Sequence, residues 1–161
     1  MREESKTETM TRKSFLSNLK ELLINILIPS MYLIPLVVAF FSPKNFGFGY
    51  PEIVPAALAV GLAGVTLLIP AIIHLGKSLA VLPRADRLVT RGVYRYLRHP
   101  IYIGLTMTIL GLIVASGSLF GLVFLFVVVV PLNIARARLE ERALLKKFGG
   151  EYKTYLSNTW F

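Results

Sequence analysis

The chain contains no cysteine. This excludes disulfides, thiolate nucleophiles and zinc-thiolate sites, and leaves the redox compartment undetermined. Charge is scarce as well: fewer than a fifth of the 161 residues are charged, more than half are apolar, and the mean hydropathy is positive. That is a membrane composition, and one compact bundle uses up the length, so a single domain over residues 1–161 is expected. Internal repeats, low-complexity tracts and linkers are also lacking. The start, MREESKTETMTRKSFLSNLKE, is too long, polar and mixed in charge for the n-region of a cleaved signal peptide, and residues 1–20 read as a retained tail.

What the chain has in quantity is long apolar runs. A helix needs about 20 apolar residues to cross roughly 30 Å of hydrocarbon. Leu22 to Phe41 and Ile53 to Leu75 meet that length. From Ile101 to Leu132 there is no charge, which is too long for one helix and is interrupted at Ser116-Gly117-Ser118. This stretch predicts two helices, from about Tyr96 to Ala115 and from about Leu119 to Arg136, joined by a tight turn. The expected fold class is all-α, a polytopic membrane helix bundle of about four transmembrane helices plus a cytoplasmic C-terminal helix.

The net charge of +9, from 18 Lys and Arg against nine Asp and Glu, is unevenly placed. Basic residues crowd the N-terminal tail, the segment from Lys77 to Arg98 and the tail after Arg136, whereas the two opposite loops carry only Lys44. The positive-inside rule then puts both termini and the middle loop in the cytoplasm. Charge that flanks apolar spans serves orientation and contact with anionic membrane lipid, which argues against a nucleic-acid partner.

Two stretches carry candidate chemistry. In GVYRYLRHPIYIG, residues 92–104, Pro100 suits the first turn of a helix and holds His99 just outside it. Free amides and the positive end of the dipole there favour an anionic group such as a carboxylate. Tyr102 offers a hydroxyl or ring face and Gly104 leaves room for a close neighbour. The alternative is an interfacial belt, with Tyr94, Tyr96 and Tyr102 at the headgroups and Arg91, Arg95 and Arg98 snorkelling. In NIARARLEERALLKKFGGEYKTY, residues 133–155, a continued helix puts Asn133, Arg136 or Ala137, Glu140 and Leu144 on one face, and Arg138, Glu141 and Leu145 on the next. Arg136 and Glu140 are spaced to pair, and Gly149 suits the end of the helix. The alternative here is a solvated amphipathic helix laced with ion pairs. His74 sits near the cytoplasmic end of the second span, where it reads first as an interfacial histidine and second as a contributor to the site.

LVTRGVYRYLRHPIYIG, residues 88–104, resembles the signature of the isoprenylcysteine carboxyl methyltransferase and phospholipid methyltransferase superfamily. There, L-V-x-x-G-x-Y is followed by R-H-P-x-Y-x-G, and every one of those positions matches. Arg136, Glu140-Glu141, Leu144, Phe148-Gly149, Glu151-Tyr152 and Tyr155 resemble the same superfamily's C-terminal signature, so the resemblance covers about residues 77–155. It implies an integral membrane methyltransferase with a cytoplasmic pocket for S-adenosylmethionine and no metal. Leu88, Val89 and Tyr94 would surround the adenosine, and His99, Tyr102 and Gly104 the methionine moiety. Glu140 and Glu141 would hold the ammonium end, and Arg136 would lie at the methyl-acceptor site. Charge chemistry agrees, since a carboxylate suits an ammonium and a guanidinium suits a carboxylate or phosphate.

Arg136, Arg138 and Glu141 are therefore the expected catalytic residues, with either arginine orienting the acceptor. Without a dedicated base, a carboxylate or thiolate acceptor such as an isoprenylcysteine-like compound leads, and phospholipid N-methylation is the alternative. The chain departs from relatives in having fewer spans than the carboxyl methyltransferases, a different segment after Tyr155, and Asp86-Arg87 where some carry a histidine. Two competing readings are an NADPH-dependent membrane reductase, which nicotinamide binding would reveal, and a non-enzymatic lipid-binding membrane protein, whose function would survive loss of His99 and Glu141. Oligomeric state is left open, although Gly61-Leu62-Ala63-Gly64 allows close helix approach.

Overall fold

The computed structural model describes residues 30–44, 52–76 and 88–160. These form four helices: α1 (Ser30–Phe41), α2 (Ile53–Leu75), α3 (Pro100–Ser116) and α4 (Leu119–Ser157). Among the described residues there is no strand beyond an isolated parallel bridge between Leu97 and Trp160. The all-α expectation holds, and α2 occupies the span read from the sequence. By length and composition α2 and α4 suffice to cross a membrane, while α1 and α3 are shorter apolar helices. At 17 residues α3 reaches about 25 Å. The early part of the span expected from Leu22, and the tail over residues 1–20, lie outside the described residues.

α3 begins at Pro100, later than the expected start near Tyr96. Gly92–Arg95 instead forms one 3₁₀ turn, and His99 takes the non-helical φ of −124° and ψ of 54°. The cause is local: the proline ring clashes with a helical residue before it and its own fixed φ suits the first turn. At the other end Gly117 adopts the left-handed conformation, φ 69°, and closes the helix. Ser118 then caps α4 by accepting from the Gly121 amide at 3.0 Å. The Ser118 hydroxyl also hydrogen-bonds that of Ser42, tying the end of α1 to the start of α4.

α4 runs past Arg136, where the fourth span was expected to end, and carries the C-terminal helix as its own continuation. Polarity ends the apolar run at this point, but the backbone hydrogen bonds continue. Gly121, Leu125, Val129 and Asn133 are all buried. A step of four residues overshoots an ideal turn by about 40°. The π turn over Leu125–Val129 is wider than an α turn and takes up this drift, which keeps one face inward. Gly149, expected to end the helix, bends it instead with a φ of 50°, and the chain continues helically to Ser157.

The core lies between α1, α3 and α4, where Tyr32, Ala39, Ile109, Ile113, Leu125 and Val129 pack together. α2 packs on the other side of α3 through near-backbone contact. A Cβ added at Gly111 would fall 2.5 Å from the Ala57 carbonyl oxygen and the Gly61 nitrogen, and one at Gly64 would fall 2.5 Å from the Thr108 nitrogen. The close approach allowed by Gly61 and Gly64 is thus made within the chain, against α3. The outward faces of α2 and α4 carry exposed apolar residues, among them Leu62, Ile69, Ile73, Phe126 and Val127. Helices with so much outward apolar surface suit a lipid solvent.

Candidate functional site

The two stretches singled out in the sequence meet at the end of the bundle that carries the middle loop. Pro100 fixes His99 at the mouth of α3, and α4 passes beside it one helical face at a time. His99 is largely buried, its side chain 14% exposed. Its Nε2 lies 3.3 Å from Glu141 Oε1 and its Nδ1 3.8 Å from Glu140 Oε2. The imidazole is thereby bracketed by both carboxylates. Three residues on, Tyr102 donates its hydroxyl to Glu140 Oε2 at 3.3 Å and stacks on the His99 ring, with centroids 5.7 Å apart. The Arg136 guanidinium lies over the Tyr102 ring, 5.4 Å from its centroid.

Beside this cluster is a cavity of about 40 Å³. Leu88, Val89, Tyr94, His99 and Glu140 line it, all five expected at the cofactor site, together with Leu75, Arg98, Leu144, Tyr152 and Tyr155. Tyr102 and Glu141 join the cluster through their contacts with Glu140 and His99. Gly104 does not line the cavity: it faces α2, where an added Cβ would lie 2.9 Å from the Gly64 carbonyl oxygen. Its small size serves helix packing against α2. Arg138 is exposed, because two residues along a helix turn the side chain about 200° from Arg136. Only Arg136 of the two expected arginines reaches the cluster.

Sequence reasoning missed Arg98, which it placed among snorkelling residues. The Arg98 Nη1 is 3.5 Å from Glu141 Oε1, and its remaining donors reach the Thr159 hydroxyl at 3.2 Å and the carbonyls of Thr159 and Leu156 at 3.2 and 3.4 Å. The backbone of Trp160 completes this clip, its amide donating to the Tyr96 carbonyl at 2.8 Å and its carbonyl accepting from the Arg98 amide. Tyr155 donates to the Tyr94 carbonyl at 2.7 Å. The segment after Tyr155 thus adds to the contacts that hold Tyr96 and Arg98 to the end of α4. The available signal was the R-H-P arginine beside a histidine already under suspicion.

The phenols at this end are strongly shielded. Burial pushes Tyr94 and Tyr152 well above the ordinary phenol range, with Glu140 and Glu141 respectively adding to the effect. Burial raises Tyr155 to about 12, although the Arg98 cation pulls the other way. All three stay protonated hydrogen-bond donors at physiological pH. His74 serves the loop: its Nδ1 is 2.6 Å from the Pro70 carbonyl oxygen, and its ring lies where a Cβ on Gly92 would be, 2.2 Å from Nε2. The glycine of the L-V-x-x-G-x-Y stretch thus has a steric reason, and its φ of 61° adds a conformational one.

Chemically, the site offers a carboxylate pair for a cation, apolar walls from Leu75, Leu88, Val89 and Leu144, and a guanidinium beside Tyr102. Among the described residues no group of three or more His, Asp or Glu side chains is arranged to hold a metal ion. A family model described as phospholipid methyltransferase matches residues 54–151. No curated protein and no solved structure matches the chain.

Proposed function

The chain belongs to the phospholipid methyltransferase family, whose model matches more than half of its length, and from that premise we propose that it transfers the methyl group of S-adenosylmethionine to a lipophilic acceptor at the cytoplasmic face of a membrane. The observation that carries this reading is the bracketing of His99 by Glu140 and Glu141. It unites the two signature stretches around one cavity.

The residues suit the donor. Glu140 and Glu141 would hold its ammonium, Leu88, Val89 and Tyr94 would enclose the adenosine, and His99 and Tyr102 would flank the methionine chain. At about 40 Å³ the cavity has room for a few waters, far less than a nucleoside. The donor would enter between the residues from Leu88 to His99 and the outer half of α4, which line the cavity from its two sides. When bound, the sulfonium supplies an electrophilic methyl: the acceptor's lone pair forms the new bond to carbon, the carbon–sulfur pair stays on sulfur, and S-adenosylhomocysteine is released.

Alignment and exclusion of water are then the protein's main contributions. Arg136, held over Tyr102, orients an anionic group of the acceptor. That group is either the carboxylate to be methylated, as in an isoprenylcysteine-like compound, or the phosphodiester of a phospholipid whose amine is methylated. The second case needs a base for the amine proton, for which Glu140, Glu141 or His99 could serve. Both cases share a lipid-dissolved acceptor and a cytosolic donor, which is why the site lies at their boundary. Four membrane crossings, with both termini and the site cytoplasmic, complete the reading.

The test uses the full chain in lipid nanodiscs with S-adenosylmethionine labelled on its methyl group. Phosphatidylethanolamine and an S-prenylated cysteine are offered separately. Label should enter one of them and be lost in Glu141→Ala. Alkali releases label from a methyl ester and leaves an N-methyl group in place, so the acceptor chemistry is read directly. Failure to label either acceptor, together with no heat of binding for S-adenosylhomocysteine, overturns the proposal.

A further inference from the structure

A polar chain runs into the apolar part of the bundle from the site. Thr106 Oγ1 accepts from Asn133 Nδ2 at 3.0 Å, and Asn133 Oδ1 accepts from the Tyr32 hydroxyl. Tyr32 in turn has the Arg136 guanidinium as its charge and hydrogen-bond partner. Arg136 lies over Tyr102, whose hydroxyl reaches Glu140. Three helices, α1, α3 and α4, thus contribute to one continuous path that ends on the cofactor carboxylates. Tyr32 and Asn133 are both buried, at 9% and 6% exposure.

Packing alone does not account for the Tyr32 hydroxyl. Its ring belongs to the core with Ile109, Ile113, Leu125 and Val129, a role phenylalanine would fill. A hydroxyl among apolar spans is costly unless bonded, and polar groups at such depth mark sites of function more often than of packing. A phenol can donate once and still accept. With its proton given to Asn133, its oxygen is directed to accept from Arg136. A planar guanidinium binds carboxylate or phosphate well only when its fork is oriented. Here the guanidinium lies over a ring face from α3 and interacts with the Tyr32 hydroxyl from α1.

We propose that Tyr32, which precedes the family-matched residues, is a positioning residue that sets the affinity for the acceptor by orienting Arg136. The proposal rests on the acceptor role given to Arg136 above. A phosphodiester keeps its charge through the reaction, so holding it lowers KM and leaves kcat unchanged, whereas a reacting carboxylate loses its charge and a looser Arg136 also eases its attack. Tyr32 is therefore a determinant of acceptor saturation, separate from donor binding.

The test varies the mole fraction of acceptor in the nanodisc, using whichever of the two acceptors the wild type methylates. Tyr32→Phe should raise the half-saturating fraction about tenfold, the loss of one hydrogen bond to a charged group. Its affinity for S-adenosylhomocysteine should stay within about twofold of wild type, as should kcat for the phospholipid, while kcat for the prenylated cysteine should not fall. Ser42→Ala removes another polar tie of α1, to Ser118 at the far end of the bundle, and should leave all three values unchanged. Arg136→Lys should also raise the half-saturating fraction, and adding Tyr32→Phe should raise it little further. The proposal is overturned by unchanged saturation in Tyr32→Phe, by an equal shift in Ser42→Ala, or by additive effects in the double variant. A wild type that labels neither acceptor and gives no heat of binding with S-adenosylhomocysteine sinks the methyltransferase reading and this inference together, whereas an active wild type with indifferent Tyr32→Phe sinks this inference alone.

Discussion

Glu141 Oε1 lies 3.3 Å from His99 Nε2 and 3.5 Å from Arg98 Nη1, so one carboxylate oxygen faces two consecutive residues of the middle loop. Under the proposed function this oxygen changes partners when an ammonium arrives. Glu141→Ala should weaken S-adenosylhomocysteine binding by about 10- to 100-fold, the range for a charge-assisted hydrogen bond. Titration calorimetry of the detergent-solubilised chain checks it, and wild-type affinity in the variant would remove Glu141 from the site.

Arg98 bridges that carboxylate and the clip formed by Leu156, Thr159 and Trp160. Its ion pair is partly exposed and contributes little to global stability on its own. The effect of Arg98→Ala should be local. Hydrogen exchange should accelerate about tenfold at the Trp160 amide, which donates to the Tyr96 carbonyl. Exchange within α2 should be unchanged. Arg98→Lys should give the same result, because an ammonium lacks the fork that reaches Thr159 and Glu141 together.

Much of this architecture is legible in the sequence. α2 runs over the apolar stretch from Ile53 to Leu75, and the Ser116-Gly117-Ser118 interruption is the turn between α3 and α4. The meeting of His99 with the acidic pair follows from motif order and helix continuity. Other features depend on partners far along the chain and leave no local signal. Trp160 pairs with Leu97 across most of the site region, a contact no periodicity reveals. Tyr32 looks like any aromatic in an apolar run until Asn133 and Arg136 are brought to it. Gly104 was read from its motif, but whether a glycine faces a ligand or a neighbouring helix depends on how the helices are rotated.

The α2–α3 contact sets that rotation, and it depends on Gly61 and Gly64 of α2 and Gly104 and Gly111 of α3. At Gly111 the atoms blocking a side chain are backbone, which cannot swing aside. Gly111→Ala should cost about 1–3 kcal/mol as overpacking, read as a lower midpoint in a thermal stability scan of the solubilised protein. Gly150→Ala meets nothing within 4 Å and should leave the midpoint unchanged. Equal midpoints for the two variants would mean that α2 and α3 do not approach as closely as described.

The buried phenols predict an alkaline limit to stability. Tyr155 ionises only at about 12 in the folded protein, and Tyr94 and Tyr152 are also shifted upward. In the unfolded chain each returns to about 10. Below pH 10 the phenols are protonated in both states and have no effect on the pH dependence. Between 10 and 12 the unfolded chain has released protons that the folded one retains, so stability falls as pH rises. Tyrosinate absorbance should therefore appear in two stages, an early one from exposed rings and a late one coinciding with unfolding. Tyr155→Phe should shrink the late stage and also free the Tyr94 carbonyl from its hydrogen bond. A single transition near pH 10, with the fold intact, would show that the cavity wall is open to water.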